Sequence, residues 1–367
     1  RTMFTEKAKK NADACRFCWM CRHVCPIGNV TGRERNNARA RALSLSMAER
    51  GIDFTPDMVD NLYECALCGA CTKECVTGWD PVTFTKEARL EAALDGKMPG
   101  YIAKVVENIE TTGNPYGKTQ ICESLRPYLE TLPEKADILL FLGVDARYLC
   151  GKTAINAIKL LQKANIDFTV LPDEPDSGYM LDTLLGKAEE TRKTMTETAK
   201  RLEFKTVVAL DPADAKVFRR EYKEWGVELH ANVRTFTGYV NELIRNGSLQ
   251  PRKTDKVFTY QDPALLARDL EEVEDAREIL HACGEIREML LHGKDTVWAG
   301  NLLMKEYMPE VIEKTAKARW ADALRTKADV LVTASPSEYA VLSEGKPTGM
   351  KLMGLEEVVL NAVSDSD

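Results

Sequence analysis

Eight cysteines set the chemistry this chain can do. In "CRFCWMCRHVC", Cys15, Cys18, Cys21 and Cys25 follow the spacing C-x2-C-x2-C-x3-C, and "CALCGACTKEC" repeats it with Cys65, Cys68, Cys71 and Cys75. Thiolates bind soft metals, which leaves zinc and iron–sulfur clusters as the candidates. A zinc ribbon uses two Cys-x2-Cys pairs, usually apart in sequence, to build one tetrahedron. Here three thiols of each run come from one tight loop and the fourth stands at its end. That spacing suits an inorganic core with several irons, with zinc as the alternative.

The first run closes on Pro26, as in the bacterial ferredoxin pattern, whereas the second continues "VTGWDP" without an immediate proline. In two-cluster ferredoxins the fourth cysteine of each run ligates the other cluster, and two copies of the run are what such crossing demands. On that pattern Cys15, Cys18, Cys21 and Cys75 hold one [4Fe-4S] cluster, while Cys65, Cys68, Cys71 and Cys25 hold a second. Trp19, Met20 and His23 lie inside the first loop, where polarity and hydrogen bonding tune a potential. Packing is the plainer role for Trp19 and Met20, and His23 is not needed as a ligand.

The 39 residues between Cys25 and Cys65 include "ERNNARARALSLSMAER" and "PDMVDNLY", rich in helix formers. This helical linker resembles the α-helical ferredoxin domain of succinate dehydrogenase iron–sulfur subunits and of the HdrC component of heterodisulfide reductase. Further helical patterns follow through residue 130, one of them stopped by Gly96. From residue 136 the texture changes. The apolar runs "DILLFLG", "FKTVVAL", "DKVFTY" and "ADVLVTA" alternate with helical stretches, as parallel strands in βα units do. Ala154, Ala157, Ile158 and Leu161 recur at helical spacing and form a stripe suited to lying on a sheet.

This α/β half is also duplicated. "ILLFLGVDARYL", "VLPDEPDSGYM" and "VVALDPADAKVF" are echoed in order by "KVFTYQDPALLA", "LLHGKDTVWAG" and "VLVTASPSEYAVL". The layout resembles the CCG-domain proteins, among them the HdrB component of heterodisulfide reductase and the iron–sulfur subunits of anaerobic glycerol-3-phosphate dehydrogenase and glycolate oxidase. In that family each lobe carries a Cys, a Cys-Cys-Gly and a Cys-Pro-x-Cys that bind additional iron–sulfur centres. Here the matching positions are Val144, Asp176-Ser177-Gly178 and Asp211-Pro212-Ala213-Asp214 in the first lobe. In the second they are Ala264, Trp298-Ala299-Gly300 and Ser335-Pro336-Ser337-Glu338. The glycines and prolines that backbone turns require are kept, and the thiols are gone.

The expected fold is thus an α-helical dicluster ferredoxin domain at 1–98, a helical connector at 99–135, and two α/β CCG-like lobes with parallel strands at 136–255 and 256–367. Asp176, Asp211, Asp214 and Glu338 would converge if the lobes face each other. Clustered carboxylates can bind a hard cation, though solvated surface carboxylates are the commoner case. Cys122, Cys150 and Cys283 stand singly, and lone cysteines usually behave as small buried hydrophobes. Cys150 follows a predicted strand, which points it toward the inter-lobe cleft. His230, His281 and His292 have no partner spacing that suggests catalysis, and no residue is assigned a catalytic role. Without a GxGxxG or Walker-type phosphate loop, a flavin or nucleotide is expected on another chain.

At 367 residues the chain is long enough for two or three domains that fold without disulfide staples. No apolar run reaches the length of a membrane span, so a soluble cytoplasmic protein is expected, a compartment in which clustered cysteines more often hold metal or do redox work than form disulfides. The net charge of −7 is uneven: residues 1–50 hold eleven Lys/Arg against four Asp/Glu, or +7, which leaves −14 for the remainder. Either this basic segment docks an acidic redox partner, or its arginines offset a negatively charged cofactor. The combined expectation is an electron-transfer subunit of an oxidoreductase complex in anaerobic metabolism. By resemblance, its partners are a flavin-dependent dehydrogenase or an HdrA-like flavoprotein subunit, together with other redox subunits. A reductase with a substrate or metal site in the inter-lobe cleft is the alternative.

Overall fold

A computed structural model describes residues 5–364. The N-terminal part is helical, and several of its helices start where the sequence supplies a cap. Asn37 accepts from Ala40 N to open the helix Ala38–Glu49. Thr55 accepts from Met58 N, with Pro56 at the first helical position of Pro56–Tyr63. Asp80 accepts from Val82 N and Thr83 N to open Pro81–Leu94. These caps satisfy N–H groups that a helix start leaves unpaired. Leu45, Leu62, Phe84, Ala88 and Ile102 of successive helices share one core, into which Met180, Leu184 and Leu303 of the α/β half also pack.

The α/β half contains two four-stranded parallel sheets. Strands β1 (Ile138–Phe141), β2 (Phe168–Thr169), β3 (Thr206–Ala209) and β4 (Asn232–Thr235) lie in the order β2-β1-β3-β4. Strands β5 (Val257–Gln261), β6 (Glu285–Ile286), β7 (Val330–Thr333) and β8 (Lys351–Gly354) repeat that order as β6-β5-β7-β8. The registers also correspond, with Ile138 beside Thr206 in one sheet and Phe258 beside Val330 in the other.

Period-two alternation explains why the central strands read as unbroken apolar runs. Leu140, Leu142 and Val208 face one core together with Phe258, Tyr260, Val330 and Val332 of the second sheet. Leu139, Phe141, Val207 and Ala209 face a separate core behind the first sheet. A parallel sheet buried on both faces needs apolar side chains at every position. Each such Leu, Val or Phe contributes about 1.5–3 kcal/mol of transfer free energy. No helix among the described residues is long and apolar enough to cross a membrane.

Candidate metal centre

The two cysteine runs adopt the same backbone. Phe17 and Leu67, two residues after the first cysteine of each run, both have φ of 54°. Their N–H groups donate to that cysteine's sulfur, Phe17 N to Cys15 Sγ at 3.4 Å and Leu67 N to Cys65 Sγ at 3.3 Å. Two residues further on the chain is again left-handed, at Trp19 (φ 69°) in one loop and Gly69 (φ 76°) in the other. A bulky residue in that region costs about 1–2 kcal/mol that glycine does not. Each run then enters a short helical turn that carries its third cysteine. Cys25 caps the helix Pro26–Thr31 by accepting from Gly28 N, and its own thiol donates to Asn36 O at 3.1 Å.

Folding brings thiols of the two runs near one another. Burial pushes Cys15 and Cys21 up, the latter to about 11, and neighbouring Cys75 and Cys18 add to the rise in both. Cys75 goes the other way. Burial raises it, but the Thr77 hydroxyl and the N–H groups of Thr77, Trp79 and Gly78 bring it below the ordinary thiol value. In the second run burial raises Cys68 and Cys71, with Cys65 and Cys25 as charged neighbours of both. Cys25, Cys65, Cys68 and Cys71 line one cavity. Cys75 thus lies near Cys15 and Cys21, and Cys25 near Cys68 and Cys71, while Cys71 also packs with Cys15, Cys21 and Cys75 against Ala38, Ala42 and Trp79.

The surroundings suit an anionic group. Arg41 is 2% exposed and its Nη2 donates to Asn36 O, yet Nε and Nη1 have no hydrogen-bond partner. It lines the same cavity as Cys25, Cys65, Cys68 and Cys71. Burial lowers its basicity, and the thiolates of Cys65, Cys25 and Cys71 more than restore it. A buried, incompletely paired guanidinium is costly unless negative charge lies beside it, and a thiolate-held iron–sulfur cluster carries such charge. Two more arginines brace this loop. Arg89, fully buried, donates to Leu62 O, Cys65 O and Thr183 O. Arg268 donates to Cys68 O and Thr296 O. Nothing in the sequence separates these three arginines from their solvated neighbours. Among the described residues no three Cys, His, Asp or Glu side chains converge as they would on a single metal ion.

The positions where the resemblance implies lost thiols have other work. Asp211 and Ser335 are N-caps, accepting from Ala213 N and Glu338 N, with Pro212 and Pro336 opening the helices that follow. Ala264 and Trp298 pack in one cluster with Cys25, and half-buried Cys68 packs against it, so the indole fills space beside these thiols. The carboxylates expected as solvated are buried instead: Asp211, Asp214 and Glu338 are each under 10% exposed. Asp214 accepts from Ser177 Oγ, Asp145 accepts from Tyr116, and Glu338 accepts from Gln261. Hydroxyl and amide partners let them enter the interior, where burial favours the neutral acid. Asp211 and Glu338 do share a cavity between the lobes, of about 50 Å³, with Asp145, Trp298 and Asn301. Cys150 does not line it; this thiol is buried at the start of the helix Gly151–Lys163, and burial raises it to about 11.

Comparison with known proteins agrees with this chemistry. Residues 11–79, which span both cysteine runs, match the family described as 4Fe-4S dicluster domain. A probable membrane-anchored ferredoxin from Chromohalobacter salexigens is 27% identical, over 97% of this chain and 60% of its own length. The chain thus spans three fifths of that relative's length. A dihydromethanophenazine:CoB–CoM heterodisulfide reductase subunit from Methanosarcina acetivorans is 23% identical, over 95% of this chain and 92% of its own. In fold, the chain resembles a hypothetical protein from Helicobacter pylori, with a TM-score of 0.60 and 10% identity over 99% of this chain and 74% of the other. Taken with the paired thiol loops, these similarities make the chain an iron–sulfur protein related to the heterodisulfide reductase subunits.

Proposed function

We propose that this chain is an electron-transfer subunit of an oxidoreductase complex, with two [4Fe-4S] clusters held by Cys15, Cys18, Cys21 and Cys75 and by Cys65, Cys68, Cys71 and Cys25. What supports the reading is that Cys75 is a charged neighbour of Cys15 and Cys21, and that Cys25 lines one cavity with Cys65, Cys68 and Cys71. The clusters supply reversible one-electron chemistry when bound. The protein's part is to fix them. The N–H groups of Phe17 and Leu67 and the Arg41 guanidinium stabilise negative charge on the sulfurs, and Arg89 and Arg268 hold the second loop against the α/β half.

In this reading residues 1–98 carry the clusters, 99–135 connect, and the lobes 136–255 and 256–367 form a platform for other subunits. Electrons pass between a flavoprotein, either a flavin-dependent dehydrogenase or an HdrA-like protein, and another redox subunit. A reductase site between the lobes is the weaker reading, because a cavity of about 50 Å³ is far below the roughly 300–1,000 Å³ of ligand sites. An anaerobic reductive titration followed by EPR tests the proposal. Two one-electron centres that interact magnetically support it, and a chain that accepts no electrons at any accessible potential refutes it.

A further inference from the structure

The first thiol loop presents an apolar surface where its twin does not. Trp19 occupies the left-handed position that Gly69 fills in the second loop, although tryptophan adopts that backbone with strain. Its ring is not used as core, being 47% exposed. Instead it is clasped by two guanidinium groups, Arg39 at 4.0 Å and Arg22 at 5.2 Å from the ring centroid. Arg39 Nε also reaches Phe17 O, at 3.5 Å.

The same segments carry further exposed apolar side chains. Phe17 and Met20 flank Trp19, and Val76, 80% exposed, follows Cys75, a neighbour of Cys15. Leu43 and Met47 follow Arg39 at four-residue steps along the helix Ala38–Glu49, and so continue its face; both are exposed. Cys18 is itself exposed, between Phe17 and Trp19. Among the described residues neither Arg16 nor Arg39 makes an ion pair; Arg22 pairs with Glu34, whose carboxylate Arg39 also faces as a nearby charge. The patch is thus apolar at its centre and cationic at its rim, in the one segment whose charge opposes that of the rest of the chain.

We propose that this face, centred on Trp19 and clasped by Arg22 and Arg39, is the docking surface for an acidic one-electron protein carrier. The proposal rests on the electron-transfer reading and names where the carrier meets it. Apolar contact with Trp19, Phe17 and Met20 sets the distance to the first cluster, and the arginines steer carboxylates around the carrier's own centre. One electron crosses in each encounter; the carrier loses what the first cluster gains, or the reverse, and no bond or proton moves.

The experiment uses the full chain with its clusters loaded and a reduced plant-type [2Fe-2S] ferredoxin, a small acidic protein, as probe in anaerobic stopped flow. The second-order rate is expected to fall about tenfold or more between low and roughly 0.5 M salt. Arg39→Glu should cut the low-salt rate by about tenfold and flatten that dependence. Trp19→Gly, which places the residue of the twin loop there, should slow the reaction at every salt concentration while iron content and EPR signal are kept and the thermal midpoint does not fall. Dithionite should reduce wild type and both variants alike. If the variants react with the ferredoxin within twofold of wild type, or if salt speeds the reaction, the docking surface is wrong while the wire stands. If dithionite reduces none of the proteins, the electron-transfer reading fails with it.

Discussion

Arg268 Nε donates to the carbonyl oxygen of Cys68 at 2.8 Å, so the second lobe grips the second thiol loop across two hundred residues of sequence. The same guanidinium donates to Thr296 O at 2.8 Å and opposes, as a nearby positive charge, the rise that burial imposes on the Cys68 thiol. One side chain therefore fixes the loop's position and contributes to its electrostatics. Arg268→Met should destabilise the protein by about 1–3 kcal/mol through the lost hydrogen bonds to the carbonyl oxygens of Cys68, Lys294 and Thr296. It should also lower the potential of the second centre by tens of millivolts, because removing a cation disfavours the more negative reduced state. Thermal denaturation and an EPR-monitored redox titration measure the two effects separately.

Arg41 gives a prediction whose sign depends on the cofactor. With two guanidinium nitrogens lacking a hydrogen bond, its burial is costly in the metal-free chain while the neighbouring cysteines are neutral thiols, and compensated when negative charge fills the cavity. Arg41→Met should raise the thermal midpoint of the metal-free protein and lower that of the loaded protein, relative to wild type in each state. A shift in the same direction in both states would show that Arg41 serves packing alone.

Exchange of the fourth cysteines can be tested through which signal each variant disturbs. Cys25→Ser and Arg41→Met should perturb the same EPR signal, whereas Cys75→Ser should perturb the other. If Cys25→Ser instead alters the signal that Cys15→Ser alters, each run holds its own cluster.

Buried carboxylates give the stability a defined pH dependence. Burial pushes Asp176 to about 6 and Glu338 and Glu356 to about 8, and it raises Asp211 and Asp214, each of which faces another carboxylate. In the unfolded chain these acids titrate near pH 4, so between about pH 4 and 8 the folded state holds protons that unfolding releases. Their contribution is complete below that window and is lost as pH rises through the folded values. Urea unfolding of the loaded protein should give a free energy that declines from pH 6 to 8.5, and Glu338→Gln should flatten the decline. A stability that climbs over this interval would contradict the assignment.

Chemistry was more legible in the sequence than the architecture that holds it. Thiol spacing is a local property, so two tight loops could be read directly, and the central strands β1, β3, β5 and β7 announced themselves because both faces are buried. The remaining strands escaped notice for physical reasons. β2 and β6 have two residues each, and β4 and β8, at the sheet edges, open with exposed Asn232 and Lys351. Arg39 and Arg41 are alike in the sequence, two positions apart. Only helix packing turns one toward Trp19 and buries the other beside Cys25. Asp214 and Glu338 look like surface residues for the same reason, since the hydroxyl of Ser177 and the amide of Gln261 that admit them to the interior come from distant segments.

The central claim is tested most directly by iron, sulfide and zinc analysis of anaerobically purified protein, with EPR spectra before and after dithionite. Two clusters on eight cysteines predict about eight iron and eight sulfide per chain, no stoichiometric zinc, and a reduced spectrum showing two coupled centres. Stoichiometric zinc, with no signal on reduction, would contradict the account and make the thiol loops structural braces.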